Sequence, residues 1–217
     1  LYQNIRQPGG TTGGDNAAPT GLMLGTGVRI VSTEKLHTQG SMIQTKNALD
    51  VAVQGEGMFQ VLQPDGTMAY TRDGSFKMSV NRELVTANGE PLQPSIVIPQ
   101  DAESISIGED GVVTVQPYGN AQETTVGQIQ LARFVNYAGL EPAGRNLYRE
   151  TAASGQALVV NPTEDGAGAL AQGALEAANV NVVEEMVNMI ETQRAYEINS
   201  KAISSVDSML RFLNQNL

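Results

Sequence analysis

Few side chains in this 217-residue chain could do chemistry, and their spacing argues against it. His37 is the sole histidine and cysteine is absent, which removes paired-histidine zinc sites, thiolate sites, disulfides and Cys/His nucleophilic pairs. A serine triad built on His37 lacks the Gly-x-Ser-x-Gly elbow, so a surface or hydrogen-bonding role is expected for this residue. Gly25-Thr26-Gly27 and Gly55-Glu56-Gly57 open no helix and precede no Gly-Lys-Ser/Thr, and they read as turns and not phosphate loops. Acidic pairs stand at Asp101/Glu103, Glu109/Asp110, Glu164/Asp165 and Glu184/Glu185. A glycosidase needs two carboxyls about 5–10 Å apart across a cleft, a spacing that sequence leaves open. Asp110 and Asp165, however, directly precede glycines, where turn formation accounts for them. Glu184 and Glu185 belong to the first turn of a helix, where carboxylates complement the dipole. No Asp-x-Asp-x-Asp-Gly loop supports calcium. The expectation is no catalytic residue, no metal site and no cofactor.

The elements that would position any site divide the chain in three. Residues 1–27 are rich in Gly and Thr and read as an extended segment. Residues 28–178 carry strand and turn signals, starting with a strand at Val28-Arg29-Ile30-Val31. Pro64-Asp65-Gly66, Asp73-Gly74, Asn88-Gly89 and Asp110-Gly111 are hairpin-type turns between short β-branched runs at residues 95–98, 104–107, 112–115 and 127–135. Ten to thirteen short strands in a β-rich body of antiparallel sheets are expected. The remainder, residues 179–217, is one long helix from Val182 to Leu217, N-capped by Asn181 with Glu184 three residues on, and free of Gly and Pro. The fold class is thus mainly β with a long, coiled-coil-type C-terminal helix.

At ~1.5 Å per residue that helix is roughly 54 Å long. Val182, Met189, Tyr196, Ile203, Leu210 and Leu217 recur every seven residues along it. Such a column favours a left-handed supercoil with a partner. Companions three residues on, Glu185, Thr192, Asn199, Val206 and Leu213, change from polar to apolar along the helix, and Ala195, Ala202 and Met209 flank the stripe. A β body of this size can hardly cover such a length, and no second long helix is visible. The helix is therefore read as an assembly device.

The net charge of −10 is concentrated in the middle: residues 51–181 hold fifteen acidic and six basic groups. With no basic stripe and no tryptophan, nucleic acid is a poor partner. No run approaches eighteen apolar residues, so membrane insertion is not expected.

Three blocks resemble one family. The stretch from Ala178-Asn179-Val180-Asn181 through Gln193-Arg194-Ala195-Tyr196-Glu197-Ile198-Asn199 to Lys201 is similar to the C-terminal signature of bacterial flagellar rod and hook proteins. Asp50-Val51-Ala52-Val53-Gln54-Gly55-Glu56-Gly57-Met58-Phe59-Gln60-Val61, Pro64-Asp65-Gly66, Tyr70-Thr71-Arg72-Asp73-Gly74-Ser75-Phe76 and Leu84-Val85-Thr86 resemble that family's β domain. Leu1-Tyr2-Gln3-Asn4-Ile5-Arg6-Gln7-Pro8-Gly9 with Gly25-Thr26-Gly27-Val28-Arg29 looks like the segment that marks its distal rod members. Met58 departs from a common Phe, and Arg82-Glu83 replaces a Gly-containing turn, so that hairpin is expected to be remodelled. The family's Asn-rich N-terminal helix is absent from the sequence.

The resemblance implies a structural subunit of the distal rod in the flagellar basal body. It would polymerise helically with itself into a hollow shaft through the periplasm, join proximal rod proteins to the hook protein, pass through the surrounding P- and L-ring proteins, and transmit torque. Export would use the flagellar type III pathway. The 1–27 segment would order between subunits. The expected assembly interface is Val182, Met189, Gln193, Arg194, Tyr196, Asn199, Ile203, Val206, Leu210 and Leu213. Near alternatives are a proximal rod or hook subunit; the alternative of another class is a secreted β-rich protein that binds or cleaves glycans.

Overall fold

A computed structural model of the chain describes residues 2–6, 22–25, 28–119 and 122–215, and for 2–6, 22–25, 210 and 213–215 the backbone only. The chain divides into two compact units, Leu1–Leu36 and His37–Leu217. In the first, β1 (Tyr2–Arg6) pairs antiparallel with β2 (Leu22–Gly25), with Tyr2 opposite Gly25 and an irregularity between Asn4 and Arg6. Residues 7–21, 26 and 27, which hold the low-complexity stretch 9–21 and part of the expected Gly25-Thr26-Gly27 turn, lie outside the described residues. Residues 28–31, expected as a strand, form none, and Val28, Ile30 and Val31 are exposed. β-branched residues favour a strand only when a partner and a packing face exist, and this stretch has neither within the described residues.

The second unit holds sixteen short strands among its described residues, more than the ten to thirteen expected. The excess comes from runs that break where the chain changes sheets. Residues 127–135, read as one strand, are split at Ile129 and Gln130 between the ends of two. The strands in order are β3 (Met42–Gln44), β4 (Val51–Gln54), β5 (Met58–Leu62), β6 (Met68–Thr71), β7 (Lys77–Met78), β8 (Leu84–Val85) and β9 (Leu92–Gln93). Next come β10 (Ala102–Ile107), β11 (Val112–Pro117), β12 (Thr124–Gln128) and β13 (Leu131–Arg133). The last are β14 (Glu141–Gly144), β15 (Leu147–Arg149), β16 (Leu158–Val160), β17 (Ala169–Gln172) and β18 (Ala174–Glu176).

A seven-stranded sheet runs β14-β15-β6-β5-β13-β16, with β9 as its seventh strand paired to β5 off that path. One edge of β5 is shared: β13 takes Met58 and Phe59, and β9 takes Gln60 and Val61. β10, β11 and β12 form a separate three-stranded sheet, and β17–β4, β18–β3 and β7–β8 are antiparallel pairs. Residues 95–98 form no strand; Val97 makes one bridge to Glu83 while Ile96 and Ile98 are buried.

The main core joins Val51, Val53, Phe59, Phe76, Leu92, Ile96, Val113, Ile129, Leu131 and Leu170. Alternation along β5 sends Phe59 into it and Met58 into a second cluster with Tyr70, Ala132, Phe134 and Leu140. Phe59 meets Phe76 edge to face at 5.0 Å. Pro64-Asp65-Gly66, Asn88-Gly89 and Asp110-Gly111 lie in turns between paired segments, but Asp73-Gly74 does not close a hairpin. A Cβ on Gly74 would stand 1.6 Å from the Val51 carbonyl oxygen, so the glycine serves close backbone approach. Arg82, standing in for a glycine-containing turn, has φ of +62°. Its guanidinium donates to the Ile98 and Pro99 carbonyls, both at 2.9 Å, which anchors the remodelled turn.

The chain ends in one 34-residue helix, α1 (Val182–Gln215), about 51 Å long; Leu217, the last of the seven-residue column, lies outside the described residues. Asn181 caps it: its Oδ1 accepts the Val183 N–H at 3.2 Å, and its carbonyl accepts the Glu185 N–H.

Candidate assembly surface

Every described side chain of α1 is exposed, including large apolar ones. That burial pattern is the reverse of a helix folded on its own domain, where one face would be covered. Val182, Met189, Tyr196, Ile203 and Val206 are all exposed, Tyr196 at 76% and Ile203 at 70%. Gln193, Arg194 and Asn199 are exposed on the same helix. Leu210 and Leu213 occupy helical positions, but their side chains fall outside those described.

At about 100° per residue, the apolar band does not stay on one flank of the seven-residue column. In the first half its companions stand one, four or five residues on: Val183, Met186, Val187 and Ile190, all exposed. In the second half they stand one before or three after, at Ala202, Val206 and Met209. The flanks expected from sequence, three residues on from the column and one before it at Ala195, Ala202 and Met209, leave out Met186, Val187 and Ile190. The column four residues on would have found Met186. Serines 204 and 208 return their hydroxyls to the carbonyls of Ser200 and Ser204, at 3.0 and 2.8 Å, on the side away from Val206.

The root of the helix is built from a ribbon. β3 and β18 pair with Met42 opposite Glu176, and the ladder continues as the Ala177 N–H donates to the Ser41 carbonyl at 2.8 Å. Asn179 Nδ2 donates to Thr38 Oγ1 at 2.8 Å, two residues before the cap. Beside the ribbon, Arg72 Nε donates to Glu176 Oε2 at 2.6 Å. Arg133, from the body, donates through Nη2 to Glu56 Oε2 at 2.8 Å and through Nη1 to the Asp165 carbonyl. The Glu56 hydrogen bond raises the Arg133 pKa above its ordinary value. Beside it, burial raises the Tyr137 phenol. None of these arginine contacts was anticipated from sequence, because no spacing rule links residue 72 to residue 176.

The chemical candidates are dispersed. His37 is half-buried, its ring 6.0 Å from that of Tyr137 and 5.4 Å from that of Tyr148. Asp110 Oδ1 accepts the Val112 N–H at 3.1 Å and Glu164 Oε2 accepts from Asn161 Nδ2 at 3.0 Å, so both carboxylates brace turns. Asp101 and Glu103 are exposed at the start of β10, and Glu184 and Glu185 occupy the first turn of α1. Gly55-Glu56-Gly57 is a turn between β4 and β5. No group of three or more His, Cys, Asp or Glu that could hold a metal occurs among the described residues. No helix among them is long and apolar enough to cross a membrane.

Comparison with known proteins matches the two regions just described. Residues 52–115 match the family described as flagellar hook protein FlgE/F/G D1 domain, and residues 171–216 match flagellar basal body rod FlgEFG protein C-terminal. The chain is 52% identical over 215 residues to the flagellar basal-body rod protein FlgG of Buchnera aphidicola subsp. Schizaphis graminum, covering 99% of this chain and 83% of that protein. It is 45% identical to FlgG of Borreliella burgdorferi over 216 residues, 99% of this chain and 82% of that protein. The flagellar hook-basal body complex protein FlhP of Bacillus subtilis is 29% identical over 206 residues, 90% of this chain and 75% of that protein. A β body joined to an uncovered helix, matched in both parts and along nearly its whole length, places the chain in the family of bacterial flagellar basal-body rod and hook proteins.

Proposed function

We propose that this chain is the structural subunit of the distal rod, polymerising helically through α1 into the shaft that joins proximal rod to hook and transmits torque. The observation that carries this reading is the uncovered helix: about 51 Å of it, with its apolar residues exposed, on a β body that has a buried core of its own. An isolated helix with so much exposed apolar surface gains by packing against other helices. The apolar band crosses from one flank to the other along α1, which suits contacts with more than one neighbour. Val182, Met189, Gln193, Arg194, Tyr196, Asn199, Ile203, Val206, Leu210 and Leu213 form the seam, with Met186, Val187 and Ile190 extending it.

The partners are further copies of the chain, then proximal rod proteins, the hook protein and the P- and L-ring proteins around the shaft. Residues 1–27 act between subunits, residues 28–178 form the outer body and residues 179–217 the axial layer. The high identity to rod proteins along nearly the full chain favours the rod over the hook. The protein works without catalysis or cofactor. Export through the flagellar type III pathway delivers the subunit to the growing rod in the periplasm. The test is complementation of a cell lacking its own distal rod subunit. Basal bodies with full-length rods and restored swimming are expected; rods that stop short at the proximal segment would refute the assignment.

A further inference from the structure

The Gly55-Glu56-Gly57 turn does no chemistry, yet it gathers more side-chain contacts than a turn needs. The Arg72 guanidinium lies across it. Nη1 donates to the Gly57 carbonyl at 2.5 Å, and Nη2 donates to the carbonyls of Gly55 and Val53 at 2.6 and 3.0 Å. Nε donates to Glu176 Oε2, and the other oxygen of that carboxylate accepts the Gly40 N–H at 2.7 Å. Gln39 adds a second hold, its Oε1 accepting the Gly55 N–H at 3.2 Å and its Nε2 donating to the Val53 carbonyl at 3.3 Å. From the opposite side the Glu56 carboxylate is held by Arg133, and the Glu56 carbonyl accepts the Gly168 N–H at 2.7 Å.

These contacts join two parts of the fold. Val53, Gly55, Gly57 and Arg72 lie in and around β4, β5 and β6, whereas Gly40 and Glu176 belong to the β3–β18 ribbon, and α1 starts six residues after Glu176. The ribbon is also pressed close at this point, since a Cβ on Gly40 would stand 1.9 Å from the Ala177 carbonyl oxygen. The ion pair is half-buried, with side-chain exposures of 25% for Arg72 and 10% for Glu176. Loss of either partner would leave a desolvated charge uncompensated. A planar fork that serves four acceptors in fixed directions is specific to arginine; a lysine ammonium keeps the charge but not that geometry.

We propose that Arg72 and Glu176, seated on the Gly55-Glu56-Gly57 turn, form the joint that fixes the direction of α1 relative to the β body. Arg72 is a positioning residue: it acts by holding the helix root. That the joint carries load between axial layer and outer body rests on the rod assignment above; its geometry does not.

The full chain carries no native cysteine, so two introduced cysteines give one unique spin-labelled pair. Ser200→Cys lies about 27 Å along α1 from its start, so a swing of about 10° at the root moves that label by roughly 5 Å. Paired with Glu103→Cys on the body, it should give a narrow distance distribution by pulsed electron paramagnetic resonance. With Arg72→Lys the distribution should broaden by roughly that 5 Å or more. Glu176→Gln, which keeps an oxygen for the Gly40 N–H, should broaden it less. A control pair within the body, Glu103→Cys with Asp65→Cys, should be unchanged by Arg72→Lys. An unchanged Ser200–Glu103 distribution in Arg72→Lys overturns the proposal. So does equal broadening of the control pair, which would make Arg72 a general stabiliser. A distribution already broad with native Arg72 also overturns it. None of these results depends on whether the chain builds a rod.

Discussion

Replacing Tyr196 and Ile203 together with aspartate separates assembly from folding. Both side chains are exposed in the single chain, at 76% and 70%. Covering an aliphatic or aromatic side chain contributes about 1.5–3 kcal/mol, so the pair contributes ~3–6 kcal/mol per subunit contact when buried in a seam. At 1.4 kcal/mol per decade this is roughly a hundredfold to ten-thousandfold in association. A buried carboxylate adds a desolvation cost that pushes the loss higher. In the single chain the same substitutions meet water, so their cost is confined to helix propensity, at most about 0.7 kcal/mol each. Thermal unfolding of the purified chain should therefore shift little, while a strain relying on the variant should make no rods by electron microscopy and should not swim. Rods of normal length from the double variant would refute the seam. Loss of the body's unfolding transition would refute the separation of helix and body.

Two further outcomes test the body. Phe59→Ala should destabilise it by about 3–5 kcal/mol, with a coupling to Phe76→Ala of ~0.5–1.5 kcal/mol in a double-mutant cycle, read from denaturant unfolding. Additivity of the two substitutions would remove the edge-to-face contact from the account. Asp65 has its pKa lowered from the usual 3.8, first by the Thr67 hydroxyl, then by the Thr67 amide and Arg149. A carboxyl depressed in the folded state stabilises above its unfolded value, and that stability is lost as pH falls through the folded value. Asp65→Asn should thus lower the melting temperature near neutral pH and lose that effect progressively below about pH 4. A difference that persists at pH 2 would point to the turn geometry instead of the charge.

Much of this fold was legible because its signals are local. Asn181 announced the helix by its capping chemistry, and the absence of Gly and Pro after it carried the helix through. Pro64-Asp65-Gly66 and Asn88-Gly89 marked turns because their residue types accept the backbone angles those turns need. Gly74 misled for the same reason. Its neighbour Asp73 suits a turn, but the glycine is required by the Val51 carbonyl, a contact far off in sequence. Val28, Ile30 and Val31 misled because strand propensity needs a partner. The exposed apolar column on α1 was visible through its period of seven. The joint at Arg72 was not, since residues 57, 72 and 176 meet only once the sheets have formed.

The central claim is that the α1 seam, open in the single chain, is covered in the assembled rod. Single cysteines at Met189 and Ile203, in a chain with none of its own, allow maleimide labelling of free subunits and of purified basal bodies. Rapid labelling of free subunits and protection of both positions in basal bodies is the predicted result. Equal labelling rates in the two states would contradict the account.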